Sequence, residues 1–263
     1  MDKKVVIITG ANGGIGKAIV LSLLDEYEII GVDLKGDNLK DLPVSFYPCD
    51  LTKKEEIIEV FNRVKDKRIY SIINCVGIFM MQSIIEGSDE DFKKIFDVNF
   101  FAVYQFNKIF FPLLDKDSRI INLTSEIVRL SSQPFMGYYS LSKILLDNYS
   151  DTLRREANYL GIKVIKIRSG NMATPLVGGV NAQFEEMTNN SEHFKTQLTK
   201  LKYMMDRELK KSHNPEIIGN KIKKILHKKH PRIKYNIKNS GYLALVGTLP
   251  EGMQDSIYQK VIK

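Results

Sequence analysis

Three features of this sequence predict a single-domain, doubly wound parallel α/β fold with helices on both faces of the sheet. Short apolar runs of strand length alternate with longer stretches of helical period, the pattern of βαβ units whose strands are parallel and covered on both sides. Glycines crowd the turn between the first apolar run and the first helical stretch. At 263 residues the chain suits one large domain with a substantial core, and no linker, repeat or low-complexity tract divides it.

The strand candidates are residues 5–9, 28–32, 44–47, 70–74, 119–124 and 163–168. Helical patterns cover 14–25, 53–64, 89–111, 138–160 and 215–228, and a late strand is expected over 231–235. The start of the chain carries only a short apolar run, Val5-Val6-Ile7-Ile8, without a small-residue cleavage site, so it reads as a first strand and not a signal peptide. The apolar run at 242–249 is far short of the ~20 residues that span a bilayer. Cys49 and Cys75 make neither a disulfide framework nor a metal spacing, so a cytoplasmic protein without a metal is expected. The net charge is +8, with basic residues crowded between Lys200 and Lys238. They read as a solvated helix face. Nucleic-acid binding would need a recognised module or interleaved stacking aromatics, and neither is present, whereas peripheral contact with an anionic membrane or an acidic substrate stays open.

Ligands of such sheets sit beyond the carboxyl ends of the strands, and the chemistry-bearing motifs fall at those ends. After the first strand comes Thr9-Gly10-Ala11-Asn12-Gly13-Gly14-Ile15-Gly16. Glycines there let backbone approach a pyrophosphate, and the helix start offers unpaired N–H groups, which makes Gly10, Asn12, Gly14, Ile15 and Gly16 cofactor candidates. The second strand ends at Asp33, 17 residues beyond Gly16. A carboxylate placed so accepts from the adenosine ribose hydroxyls and repels a 2′-phosphate, which favours NAD over NADP. Lys35 stands near enough to soften that preference, but no lysine or arginine lies inside the glycine turn.

The third strand leads into Cys49-Asp50-Leu51-Thr52, where Asp50 and Leu51 are candidates for the adenine pocket and Thr52 for the cap of the helix at Lys53. Asn74-Cys75-Val76-Gly77 ends the fourth strand, with Asn74 able to tie loops together and Gly77 giving close backbone access, and both are cofactor candidates. Asn99 is a polar residue in mid-helix, a placement with an intrinsic cost. Ser125 closes the fifth strand, and Gly137-Tyr138-Tyr139-Ser140-Leu141-Ser142-Lys143 opens the helix that follows. Residues four apart share a helix face, so Tyr139 and Lys143 point into one cleft. A phenol titrates near ~10, and a neighbouring cation lowers that value towards useful acid–base chemistry. The bland alternative is an aromatic ring packed over a lysine stem.

Together these motifs resemble those of the short-chain dehydrogenase/reductase family over nearly the whole chain, nearest in outline to its steroid- and retinol-active branch. The glycine turn resembles the family's Thr-Gly-x-x-x-Gly-x-Gly, and Asn74-Cys75-Val76-Gly77 resembles its Asn-Asn-Ala-Gly. Its catalytic Asn, Ser, Tyr and Lys carry over onto Asn99, Ser125, Tyr139 and Lys143; its Pro-Gly turn and following Thr resemble Ser169-Gly170 and Thr174. One residue more than is usual separates Ser125 from Tyr139, which raises Tyr138 as the alternative partner. A spacing of five would turn Tyr138 away from Lys143, which decides for Tyr139.

The resemblance implies a Rossmann-type NAD(P)-binding domain over 1–263, with a substrate lid around 176–212 and a C-terminal extension over 213–263. It implies an NAD-dependent enzyme moving hydride between nicotinamide and an alcohol or carbonyl group of a small, lipophilic substrate. Lys143 would hold the nicotinamide ribose and depress the Tyr139 pKa, and Asn99 would order a water beside it. An inactive dinucleotide-binding regulator and a sugar-nucleotide-modifying relative are the rival readings. Apolar residues of the lid, Val177, Val180, Phe184, Met187, Phe194, Leu198 and Leu201, suit an amphipathic helix over such a ligand, a dimer contact or ordinary core. Phe92, Phe96, Phe100, Phe101, Tyr104 and Phe106 crowd helix 89–111 beyond the needs of one face, so a homodimer or homotetramer through helices 89–111 and 138–160 is expected.

Overall fold

The computed structural model describes residues 3–129, 132–174, 179–209 and 211–262. Its strands are β1 (Lys4–Thr9), β2 (Tyr27–Asp33), β3 (Val44–Pro48), β4 (Ile69–Asn74), β5 (Leu114–Ser125), β6 (Lys163–Ser169) and β7 (Lys234–Ile237). They form one parallel sheet in the order β3-β2-β1-β4-β5-β6-β7. The chain runs outward from β1 to β3 and then returns to place β4 on the other side of β1, so strand order reverses between β1 and β4. A crevice at that switch point is where such sheets bind ligands.

Side chains alternate across the sheet, and β1 to β6 each feed two cores. From β1, Val6 and Ile8 join one core and Val5 and Ile7 the other. The first core is closed by α1 (Gly14–Leu23) and α8 (Glu216–Leu226), through Ile19, Leu23, Ile218 and Ile222. The second is closed by α2 (Lys54–Val64) and α4 (Ala102–Phe110), through Ile57, Val60, Phe106 and Phe110. Tyr27 and Tyr70 stack in the first core, and the Arg119 side chain caps the carbonyl end of α8 at Ile225, Leu226 and Lys228.

Several boundaries differ from the sequence-based expectation. Helix 89–111 is three pieces: α3 (Asp89–Phe96), a π-helical turn at Asp97–Phe101, and α4. The wide turn takes in Asn99, and such turns cluster at functional positions. Ser88, not foreseen, caps α3 by accepting from the Asp91 N–H at 3.1 Å. Thr52 does not cap α2; its hydroxyl turns back to Asp50 at 2.7 Å, and Lys53 is the cap residue. The late strand is Lys234–Ile237, later than 231–235, because Tyr235 and Ile237 are the residues that fill the first core. Between β2 and β3 only a short turn of helix forms, at Asp37–Leu39.

The remaining helices are α5 (Gly137–Asn158), α6 (Val180–Asn190), α7 (Lys195–Leu209), α9 (Gly241–Val246) and α10 (Glu251–Ile262). Two helices, not one, thus make up the expected lid. Val177 lies outside the described residues. Among the described residues no helix is long and apolar enough to cross a membrane.

Candidate active site

The glycine turn owes its shape to close approach. Gly10 has φ +67, and a Cβ there would sit 2.7 Å from the Val76 nitrogen. A Cβ on Gly16 would lie 2.0 Å from the Gly10 carbonyl oxygen, so helix α1 can start hard against β1 only without side chains. No side chain caps α1 at Gly13, and its first helical bond is the Lys17 N–H to the Gly13 carbonyl at 2.8 Å. The N–H groups of Gly14, Ile15 and Gly16 therefore precede the helical ladder and are oriented for an anion.

Asp33 stands beside this turn. Its carboxylate accepts from the Asn12 N–H at 2.9 Å and the Leu34 N–H at 2.7 Å. Asn38, which sequence reasoning passed over, braces the same loop: its N–H reaches the Asn12 side-chain oxygen at 2.8 Å and its amide the Asn12 carbonyl at 2.9 Å. Asp50 is engaged locally. It accepts from the Thr52 N–H and hydroxyl, which draw its pKa down against the opposing effect of burial, while Leu51 is buried beside it.

Asn74 lies 1% exposed, and its amide donates to the side-chain oxygens of Asn107 and Asn122, both at 2.8 Å. Asn122 continues to Ser150 at 2.8 Å. Both Asn74 amide protons are thus committed to a buried network joining β4, β5, α4 and α5. The side chain holds the sheet's ligand-facing edge together and has no proton left for a cofactor. Asn107 and Asn122 had no motif to mark them; their signal was a polar side chain on a face that helical or strand period assigns to the core.

Asn99 is fully buried. Its oxygen accepts from the Ile78 N–H at 2.7 Å, and its amide donates to the Ile78 carbonyl and the Ser142 hydroxyl, each at 3.0 Å. It clamps the loop after β4 to α5. Gly77 is where these parts converge, since a Cβ there would meet the Lys143 Nζ at 3.0 Å and the Asn99 Oδ1 at 3.1 Å.

Ser125, Tyr139 and Lys143 come together at the carboxyl end of β5. The Tyr139 hydroxyl lies near enough to Ser125 for that side chain to draw its pKa down, and the Lys143 Nζ stands 5.9 Å from the Tyr139 ring centroid. Tyr138 faces elsewhere, donating to the Ser88 carbonyl at 3.0 Å. The electrostatics differ from the expectation. Burial pushes the Tyr139 phenol up from its ordinary value, opposed by the nearby Ser125 side chain and reinforced by Glu126. Burial also brings Lys143 down to about 8. Lys143 does not depress Tyr139 here, because desolvation penalises the phenolate and the ammonium alike.

Above Tyr139 lies an apolar cluster. Phe79 packs on the Tyr139 ring at 4.9 Å, and Met81, Ile127, Phe184, Met187 and Leu198 are buried around it. α6 and α7 are tied over this cluster by polar links. Gln183 bridges the Phe79 carbonyl and the Met81 N–H, both at 3.3 Å, and Glu86 accepts from Ser191 and the N–H groups of Glu192 and His193. Thr174 is half-buried where the described residues pause before α6.

A glycine turn under uncapped helix N–H groups, with a serine at the end of β5 and a tyrosine and a lysine on α5, suits a dinucleotide-dependent enzyme. Comparison with known proteins agrees. The probable short-chain type dehydrogenase/reductase VdlC of Helicobacter pylori is 29% identical over 266 residues, covering 97% of each chain. A short chain dehydrogenase from Burkholderia cenocepacia, solved in complex with NADP, shares the fold at a TM-score of 0.72 and 19% identity, covering 100% of this chain and 98% of its own. Another from Burkholderia phymatum, in complex with NAD, does so at 0.74 and 18% identity, covering 89% of each. The short chain dehydrogenase family model matches residues 4–185, well over half of the chain, and the protein belongs to that family of Rossmann-fold oxidoreductases.

Proposed function

We propose that the protein is an NAD-dependent oxidoreductase acting on an alcohol or carbonyl group of a small lipophilic substrate, with Asn99, Ser125, Tyr139 and Lys143 as its catalytic set. The observation that carries this is the convergence of Ser125, Tyr139 and Lys143 at one strand end. The described residues fit a dinucleotide: a side chain at Gly10 or Gly16 would fill the cradle, and the α1 N–H groups face it. A bound nicotinamide would supply reversible hydride transfer at carbon.

The chain supplies the rest. Tyr139 gives its proton to the substrate oxygen in reduction and takes it back in oxidation, and its raised pKa keeps the phenol protonated and ready as an acid. The Ser125 hydroxyl donates to the same oxygen as charge builds there. Lys143 would hold the nicotinamide ribose and Asp33 the adenosine ribose, and Asp50, Leu51, Gly77 and Thr174 would complete the cofactor's binding residues. The apolar cluster against Tyr139 supports a lipophilic substrate, with 176–212 as its cover and 213–263 as an extension behind it. A cytoplasmic location goes with this reading. The test is a panel of alcohols and ketones with either cofactor, followed by nicotinamide absorbance; no turnover with any of them would favour a non-catalytic binding protein.

NAD should bind at least ~10-fold more tightly than NADP, because Asp33 meets a 2′-phosphate with like charge. Asp33→Ala should shrink the preference, and equal affinities by calorimetry in the unmodified protein would refute it.

We further propose a homodimer or homotetramer through the helical stretch 89–111 and α5. The surplus of aromatics on residues 89–111 supports it less than the sequence suggested, since Phe92 packs on Tyr138, and Phe100 and Tyr104 pack on Tyr149 of the same chain. Phe101, Leu141 and Leu145 nonetheless stay exposed along these two helices. Light scattering at micromolar concentration should report at least twice the chain mass, and a monomer would count against the proposal.

A further inference from the structure

A cluster of five charged side chains, two of them buried, lies behind the candidate site on residues no motif marks. The Asp147 carboxylate accepts from Lys166 Nζ at 2.7 Å, from Arg168 Nε at 2.9 Å and NH2 at 2.6 Å, and from the Thr124 hydroxyl at 3.1 Å. Lys166 also reaches Asp151 at 2.7 Å, and Arg154 pairs with Asp151 at 3.3 Å. The side chains of Asp147 and Lys166 are only 7% and 5% exposed. A buried ion-pair cluster gives little net stability over well-packed apolar residues. Its advantage is direction: four bonds on one carboxylate allow a single placement.

That placement matters for the site. Tyr139, Lys143, Asp147 and Asp151 follow one another every four residues along one face of α5. Thr124, at the far end of the Asp147 bond, directly precedes Ser125, and Arg168 pairs with Thr124 across β5 and β6. One carboxylate thus joins the Tyr139 face of α5 to both strand ends that border the site. We infer that Asp147 is a positioning residue, which sets the register of α5 against β5 and β6 and so holds Tyr139 within reach of Ser125. A misplacement of ~1 Å at reacting groups is enough to lower a rate by about 10²-fold.

The inference rests on the proposed function for its kinetic arm only. Asp147→Asn keeps the shape and removes the charge; Thr124→Val and Arg168→Lys remove one link each. Well below the unfolding midpoint, Asp147→Asn should lower kcat by at least ~10-fold with NAD affinity within about twofold of wild type. The Tyr139 phenol, followed by NMR of ring-labelled tyrosine and assigned with Tyr139→Phe, should titrate higher than in wild type as Ser125 moves out of its reach. Thr124→Val should move both readouts less, in the same direction. Folded variants with wild-type kcat and an unmoved Tyr139 titration would overturn the inference, as would equal losses of turnover and NAD affinity. Should Asp147→Asn fail to fold, Thr124→Val decides by the same readouts. If wild type itself turns over nothing, the proposed function fails, and the Tyr139 titration alone still decides the register.

Discussion

Tyr139→Phe should lower turnover by at least ~10²-fold, the lower end of what general acid–base catalysis contributes, with NAD affinity almost unchanged. The substitution removes the hydroxyl that meets Ser125 and leaves the ring packed on Phe79. Tyr138→Phe is the control. Its hydroxyl donates to the Ser88 carbonyl at the start of α3, so its loss should cost about 1 kcal/mol of stability and little activity. Steady-state kinetics on both variants decide the matter. A dead Tyr138→Phe beside a healthy Tyr139→Phe would move the whole assignment by one residue, and with it the helix face.

Lys143→Met should do two things at once: damage both turnover and NAD binding, and make the protein more stable at neutral pH. Lys143 is 6% exposed, and burial brings its ammonium from the ordinary 10.5 down to about 8. A lysine whose folded pKa lies below its unfolded one destabilises the fold in full below pH 8. The penalty fades as pH rises from 8 to 10.5, since the unfolded chain then binds the extra proton. Converted at 1.36 kcal/mol per pKa unit, the penalty is on the order of 3 kcal/mol. Methionine keeps most of the volume and carries no charge. Urea unfolding at pH 7 should therefore show Lys143→Met the more stable protein by up to ~3 kcal/mol, with the gap closing above pH 8. The Cys49 and Cys75 thiols, which burial pushes up to about 12, lower stability at alkaline pH in both proteins, so the difference between the two is the quantity to follow. A variant less stable than wild type at pH 7 would show that Lys143 is held by bonds that outweigh its desolvation. Such a trade of stability for chemistry is common where a charge must stand in a dry site.

Local rules carried much of this molecule. Period and length separated strands from helices because burial on both faces leaves each β-strand a continuous apolar run. The glycine turn was legible because only glycine fits Gly10 at φ +67 and Gly16 against a carbonyl. Which of the two tyrosines shares a helix face with Lys143 was legible because 3.6 residues per turn sets which side chains point the same way. Each of these depends on neighbours a few residues away, and the sequence states those directly.

What needed the tertiary structure depends on distant segments. The sequence places Tyr139 beside Lys143 but not Phe79 over the ring, so the direction of both pKa shifts followed from covering elements and not from the pair. The sequence marks Asn74 as able to tie loops together, but its partners Asn107 and Asn122 stand 33 and 48 residues away and are seen only in the fold. No motif in the sequence marks Asp147, Lys166 and Arg168; only the packing of α5 on β6 brings them together. Local spacing determined which groups can point the same way, whereas desolvation and hydrogen-bond partnership, which decide what those groups can do, were determined by elements far apart in the chain.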